Sequence, residues 1–268
     1  MIAERTNRIL RLQQGRLTET EDHIAEEAMV ALVYNGISHV VLMATPQDLP
    51  ELALGFSLSE GILQTPAQLY GIEIQESCNG FSVHMEIAAA RFTALKTRRR
   101  NMSGRTGCGL CGIDSLAAAM PDIRVVGRGS VIEASHIEQA LGQLDDRQPL
   151  RGLTGATHSA AWVENGRIVC LFEDVGRHNA LDKLIGHLMK SQYDLSEGFV
   201  IVSSRASYEM VAKTAACGIG CLVAVSAPTA LAIDLAEKAN LTLIGFARPD
   251  RQTVYTHEHY IRTQINQD

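Results

Sequence analysis

Three unbroken apolar runs, at residues 198–203, 222–226 and 241–247, are separated by amphipathic segments of helical length at 208–217 and 229–239. A strand that is apolar at every position must be covered on both faces, and strands alternating with helices pair in parallel. The C-terminal half is therefore expected to be α/β, a parallel sheet between layers of helices. Sheets of this kind bind ligands beyond the carboxyl ends of their strands. Those ends read Ser203-Ser204-Arg205-Ala206-Ser207, Ser226-Ala227-Pro228-Thr229 and Phe246-Ala247-Arg248-Pro249-Asp250-Arg251. A fourth, Glu173-Asp174-Val175-Gly176-Arg177-His178, leads into a helix expected over 179–189. Amides at helix starts, together with Arg177, Arg205, Arg248 and Arg251, suit a phosphorylated ligand.

The preceding chain reads differently. Residues 1–28 are charged and irregular, with room for one strand that pairs with a later part of the chain. Apolar runs at 29–34 and 38–44 flank Asn35-Gly36, and runs at 159–163 and 167–172 flank Asn165-Gly166. Asn-Gly supplies two residues that tolerate φ > 0, so each pair predicts a β-hairpin. Strands are also expected at 70–76 and 81–88, around Cys78-Asn79-Gly80. Asp48 with Glu51 has the spacing of a capping box for a helix to about Glu60, with Leu49, Leu52, Ala53, Phe56 and Leu63 as its buried stripe. Ser135 with Glu138 repeats that spacing for a helix to about Leu144.

Between the two halves lies Arg105-Thr106-Gly107-Cys108-Gly109-Leu110-Cys111-Gly112, two thiols among three glycines, followed by a short helix expected over 113–120. The glycines describe a pliable loop. From Arg91 to Arg105 the chain carries six cations, Arg91, Lys96, Arg98, Arg99, Arg100 and Arg105, and no carboxylate. The thiolate is the reactive form of cysteine; neighbouring cations that bring its pKa from about 8.5 to about 7 leave it half ionised. A Cys-x-x-Cys pair alone fits half a zinc site, a redox dithiol or a nucleophilic sulfur carrier. A four-cysteine zinc site would need Cys217 and Cys221, which fall at a helix end and a strand start. A thioredoxin-type dithiol would sit between a strand and a long helix. The cationic approach favours the sulfur carrier over both, and over a solvated loop tip.

Other classes are excluded more simply. With a net charge of −6, 46% apolar and 20% charged residues, the chain suits a soluble globular protein without a general grip on nucleic acid. Residues 1–14 lack the apolar core of a signal peptide, and the apolar stretch 221–233 is too short and interrupted to span a membrane, so a cytoplasmic protein is expected. Six cysteines in 268 residues are too sparse for a disulfide scaffold. A zinc deaminase needs His-x-Glu before Pro-Cys-x-x-Cys. Here His158-Ser159-Ala160 lacks the glutamate, and the thiol pair lies upstream without the proline. His158, His178 and Asp174 either line a site or satisfy strand-end polar groups.

From about Glu26 to His257 the chain closely resembles the formate dehydrogenase accessory proteins, the FdhD family of sulfurtransferases. The likeness runs through Ala31-Leu32-Val33-Tyr34-Asn35-Gly36, Leu54-Gly55-Phe56-Ser57-Leu58-Ser59-Glu60-Gly61, the thiol segment 104–112, Glu173 to His178, residues 202–210 and Val254-Tyr255-Thr256-His257. The resemblance implies a homodimeric cytoplasmic protein that takes sulfane sulfur from a cysteine desulfurase. It would pass that sulfur to the molybdenum cofactor, bis-molybdopterin guanine dinucleotide, destined for formate dehydrogenase. It further implies that Cys108 carries the persulfide, Cys111 assists, and Phe246, Ala247, Arg248, Pro249, Asp250 and Arg251 line the cofactor site. Ser203, Arg205, His178 and Arg177, from the neighbouring strand ends, are expected beside them, and no structural metal is expected. At Ala247 and Asp250 the family pattern expects Cys and Gly, which leaves these two to contribute backbone contacts. The implied organisation is an N-terminal extension (1–25), a smaller strand-rich domain (26–103), the thiol loop (104–112) and a three-layer α/β/α cofactor-binding domain (113–268) similar to the cytidine deaminase fold. The competing class is a non-enzymatic chaperone that shelters the cofactor.

Overall fold

The computed structural model describes residues 2–102, 123–127 and 131–263, without the side chains of 98–102. Cys108, Cys111, Arg105 and the helix expected over 113–120 lie outside the described residues.

The N-terminal stretch holds two strands rather than one, and they pair with each other instead of with a later described strand. Glu4–Gln13 (β1) and Arg16–Ala25 (β2) form an antiparallel ribbon that pairs with no other described strand. Its turn is Gln14-Gly15, both residues at positive φ, a turn that Asn-Gly would have announced and Gln-Gly does not. Ala28–Tyr34 (β3) and Ile37–Ala44 (β4) form the expected hairpin at Asn35-Gly36. With Leu69–Ser77 (β5) and Gly80–Ile87 (β6) they make a four-stranded sheet, ordered β4-β3-β6-β5. Val30, Leu32, Tyr34, Val83, Met85 and Ile87 are buried beside Leu49–Ser59 (α1), whose Leu49, Leu52 and Ala53 are fully buried.

Neither expected capping box forms. Asp48 sits at φ +55° and its side chain caps nothing. Pro50 in the first turn has no N–H at one of the two positions an N-cap carboxylate serves. The helix Ala134–Gln143 (α3) starts one residue before Ser135, so Glu133 is its N-cap and Ser135 lies inside the first turn. The cationic approach to the thiol pair is, through Met102, the helix Ala89–Met102 (α2) rather than a loop. Two of its cations are engaged locally: Arg91 donates to the carbonyls of Ile62 at 2.7 Å and Gly61 at 2.5 Å, and the Lys96 ammonium lies 4.7 Å over the Phe92 ring.

After the short strand Ile132–Glu133 (β7) and the helix Pro149–Thr154 (α4), His158–Glu164 (β8) and Arg167–Asp174 (β9) form the hairpin at Asn165-Gly166. Then come Arg177–Lys190 (α5), Gly198–Val202 (β10), Tyr208–Ala216 (α6), Cys221–Ala224 (β11), Ala230–Lys238 (α7), Thr242–Arg248 (β12) and Arg251–Val254 (β13). The three apolar runs do pair in parallel, β10 with β11 and β11 with β12. The sheet as a whole is mixed, because β8 and β13 join its two sides antiparallel, in the order β13-β12-β11-β10-β8-β9. On one side β13 follows β12 as a hairpin and needs no crossover; on the other the β8–β9 hairpin joins as a unit, with α5 connecting β9 to β10.

Alternate residues feed two cores. Ala160, Trp162, Val200, Val202, Leu222 and Leu243 pack with α5, α6 and α7, whereas Ala161, Val163, Phe199, Ile201, Val223 and Ile244 pack with α3. The first core runs without a break into the four-stranded sheet through α1 against α5. There Gly55 and Gly186 allow the two helices to approach closely: a Cβ on Gly55 would overlap the Asp182 carbonyl, and one on Gly186 the Glu51 carbonyl. This contact sets α5, and hence the residues at its start, against the carboxyl end of β9.

Candidate functional site

At the end where β9, β10, β11 and β12 terminate, backbone hydrogen bonds lace the strand ends together. Ser203 donates its N–H to the Ser159 carbonyl at 3.0 Å, and its Oγ accepts the Ser159 N–H at 2.8 Å. Ala206 donates to Ala227 at 3.3 Å, Thr229 to Ala206 at 3.0 Å and Phe246 to Ser226 at 3.1 Å. Arg248 Nη1 donates to the carbonyls of Val225 at 2.6 Å and Ala247 at 2.8 Å. Ser203 and Arg248 therefore brace the site, while Arg205 and Arg251 are exposed at its edge, their guanidinium groups in no hydrogen bond or ion pair among the described residues.

Residues 246–251 form the bulged end of β12 and its tight turn into β13, where Arg248 faces Arg251. Ala247 is buried in the core with Ile244, and Pro249 and Asp250 are exposed in the turn. Phe246 stands at φ +49° with 46% of its surface exposed. For a bulky non-glycine residue that region costs about 1–3 kcal/mol and persists where the surroundings enforce it. The bulge thus turns an aromatic ring outward between Gly245 and Arg248, while Gly245 has no room for a Cβ against Pro228 and Tyr255.

The loop 173–178 divides into structural and open parts. Glu173 accepts the N–H groups of Leu150 at 2.9 Å and Arg151 at 2.7 Å, and so caps α4. Asp174 and Lys183 form a fully buried ion pair at 2.7 Å. Asp174 also accepts from the N–H groups of Thr45 and Gly176 and from Asn179 Nδ2, and Lys183 also donates to the carbonyls of Thr45 and Glu173. Asp174 is a structural group. The residues that follow it are not so bound. Arg177 Nε, His158 Nδ1 and Ser207 Oγ are buried with no hydrogen-bond partner among the described residues, and Ser207 opens α6 without capping it.

These groups adjoin one another. His158 heads β8 opposite Asp174, and the Arg177 charge bears on its ring. His178 Nε2 stands 2.8 Å from Glu209 Oε2, bridging the starts of α5 and α6, but is misaligned for a hydrogen bond. Burial pushes both histidines below the usual imidazole range, helped at His158 by Arg151 and Arg177 and opposed at His178 by Glu209. Two helix starts, a guanidinium and a hydroxyl converge, a set of donors for a phosphate or another oxyanion. Sequence reasoning singled out Arg177 and His178 and left His158 open. It named Ser207 only as part of a hydroxyl-rich strand end and assigned Glu209 no role; the serine immediately before an apolar-periodic run was the available signal for the first.

Behind this site a second buried pair joins the helices. Lys213 Nζ lies 3.0 Å from Asp182 and 2.9 Å from Glu60, with Ser59 Oγ also in reach. Beside it opens a cleft of about 640 Å³ between the end of α1, Ile123–Arg124 and α6. Cys217 lines it, its thiol pushed up to about 12 by burial; burial likewise raises Cys170 to about 11, and raises Cys221. These three stay protonated near neutrality and are poor nucleophiles. No group of three or more His, Cys, Asp or Glu among the described residues could hold a metal ion.

Residues 25–262 match the model of the FdhD/NarQ family. Among solved structures, a protein of Desulfotalea psychrophila described as a formate dehydrogenase accessory protein superposes with a TM-score of 0.76 over 97% of this chain and 100% of its own, at 22% identity. At that identity the likeness speaks for the fold, mixed α/β throughout.

Proposed function

Because the chain belongs to the FdhD/NarQ family, we propose that it serves the maturation of formate dehydrogenase, as a sulfurtransferase acting on the molybdenum cofactor. The observation that carries this reading is the strand-end site. In a chain of net charge −6, buried donors without partners, free guanidinium groups and an outward aromatic ring lie along one end of the six-stranded sheet, spread from the end of β9 to that of β12. Bis-molybdopterin guanine dinucleotide, here the substrate, offers pyrophosphates to Arg177, Ser207, Arg205 and Arg251 and a guanine face to Phe246. The residues fit its ends.

The thiols would supply the sulfur. Cys108 thiolate attacks the outer sulfur of a desulfurase persulfide; that sulfur's bond to the desulfurase cysteine breaks, and the desulfurase leaves as a thiolate. No electrons are gained or lost overall. Release as hydrosulfide needs two electrons, which Cys111 provides by attacking the inner sulfur, forming the Cys108–Cys111 disulfide. A small thiol must then reduce that disulfide. The desulfurase donor, the dehydrogenase recipient, the homodimeric state and the cytoplasmic setting belong to the same proposal. So does the likeness to the cytidine deaminase fold, supported by a single sheet with helices on both faces. Among the described residues no helix is long and apolar enough to cross a membrane.

Mass spectrometry after incubation with a cysteine desulfurase and cysteine tests it. The wild-type chain should gain ~32 Da on one thiol, and Cys108→Ala should gain nothing and fail to activate formate dehydrogenase. No gain on the wild-type chain, with guanine-nucleotide binding intact, would leave a cofactor chaperone instead.

A further inference from the structure

Two apolar patches lie open on different parts of the same chain. One is the tip of the β1–β2 ribbon. Leu12 faces Leu17 across the ribbon, Leu10 stands two residues back on the same side, and the three are 64–68% exposed. The other is the outer face of β3 and β4. There Met29 pairs with Met43 and Ala31 with Val41, and Met29, Val41 and Met43 are 46–55% exposed. Both patches are uncovered in the single chain, so the ribbon does not fold back on its own sheet.

An isolated two-stranded hairpin is at best marginally stable in water, and clustered exposed apolar groups mark interaction surfaces. One side of this ribbon has support: Asn7, Ile9, Thr20 and Asp22 are partly buried, and β2 leans on α4. The leucine side has none.

Its charges narrow the choice of partner. Arg5, Arg8, Arg11 and Arg16 are balanced by Glu4, Glu19, Glu21 and Asp22, with Arg8–Glu19 and Arg11–Asp22 each paired across the ribbon at 3.7 Å. A ribbon without net charge selects neither an anionic membrane nor a nucleic acid. What it offers is a narrow apolar strip, and the chain carries a matching apolar strip of its own on β3 and β4.

We propose that the ribbon of one copy lies across the outer β3–β4 face of a second copy, and reciprocally, so that two arms exchange about a two-fold axis. The inference rests on the homodimeric state within the functional reading above and adds the surface that makes it. Self-complementarity is what a two-fold interface requires: tip meets face, and face meets tip. The face sets the limit: β3 and β4 are seven and eight residues long, about 25 Å, and the ribbon is about 10 Å wide, so each arm covers about 250 Å². Counted on both surfaces and for both arms this is about 1,000 Å², the lower bound for a specific interface.

Sedimentation velocity on the full chain tests the proposal. The wild-type chain is expected to run as a dimer, and Leu12→Glu and Val41→Glu each as a monomer with unchanged circular dichroism, since both positions are exposed. If Leu12→Glu does not fold, Leu12→Thr keeps the strand propensity and should still weaken the dimer at least tenfold. A wild-type dimer that survives either the tip or the face substitution would overturn the arm exchange while leaving the dimeric reading in place. A monomeric wild-type chain would overturn both, and would leave sulfur transfer and nucleotide binding untouched.

Discussion

Asp174 and Arg177 are three residues apart at the end of β9, and their surroundings could hardly differ more. Around Asp174 and Lys183 every donor and acceptor has a partner drawn from three places in the chain: the end of β4, the end of β9 and α5. Around Arg177, His158 and Ser207 buried polar atoms have none among the described residues. Unpartnered buried groups cost about 1–3 kcal/mol each, and they persist where something other than stability retains them. The filled cluster fixes where α5 begins; the open one is what that placement presents to a ligand. Polarity alone distinguishes neither role. The count of satisfied valences does.

The comparison breaks first, and most visibly, at the filled cluster. Lys183→Met leaves the Asp174 carboxylate buried without its cation, and removing one member of a buried pair costs about 3–5 kcal/mol. Chemical denaturation should register that loss. Adding Asp174→Leu should not recover it fully, because the Thr45 and Gly176 N–H groups would then be orphaned. Full recovery in the double variant would mean that the carboxylate matters only as a counter-ion.

Arg177→Gln should do the reverse. Losing a guanidinium whose Nε is unpartnered should shift stability by less than about 1 kcal/mol. It should weaken guanosine diphosphate binding, measured by calorimetry, about tenfold, or about 1.4 kcal/mol. If Arg177→Gln destabilised the fold as much as Lys183→Met, the division between structural and ligand-facing polarity would collapse.

Much of this architecture can be read from local pattern. Asn35-Gly36 and Asn165-Gly166 turn where their chemistry says, all four residues at positive φ. The continuous apolar strands and their helices are where periodicity puts them, and the arginines of 177, 205, 248 and 251 gather at one end of one sheet. What escaped is non-local or hidden by unremarkable residues. A Gln-Gly turn conceals the ribbon. Lys183 meets the Thr45 carbonyl 138 positions away, and Glu173 caps a helix that begins 24 residues earlier. No window of sequence holds those pairs. The site was half legible for the same reason: residue type and spacing mark Arg177 and the Cys108–Cys111 motif, whereas the missing partners of His158 and Ser207 emerge only after every neighbouring group has been assigned. The thiol motif itself lies outside the described residues.

The smallest expected effect separates the two clusters by pH. Burial, with Arg151 and Arg177 nearby, lowers the His158 pKa in the folded chain. Between that lowered value and the unfolded value of about 6.5, the unfolded chain binds more protons, so stability rises with pH there. The contribution is fully present above about pH 6.5 and is lost as pH falls to the folded value. His178 shifts the same way, so the His158→Gln variant should flatten the acid limb only in part. A phosphate bound beside the ring must oppose the shift, since a nearby anion favours imidazolium. Proton NMR of the His158 ring should therefore show its pKa rising when guanosine diphosphate is added, with proton uptake on binding. An unmoved pKa at saturating nucleotide would remove His158 from the open cluster and make its unpartnered nitrogen a feature of strand-end packing alone.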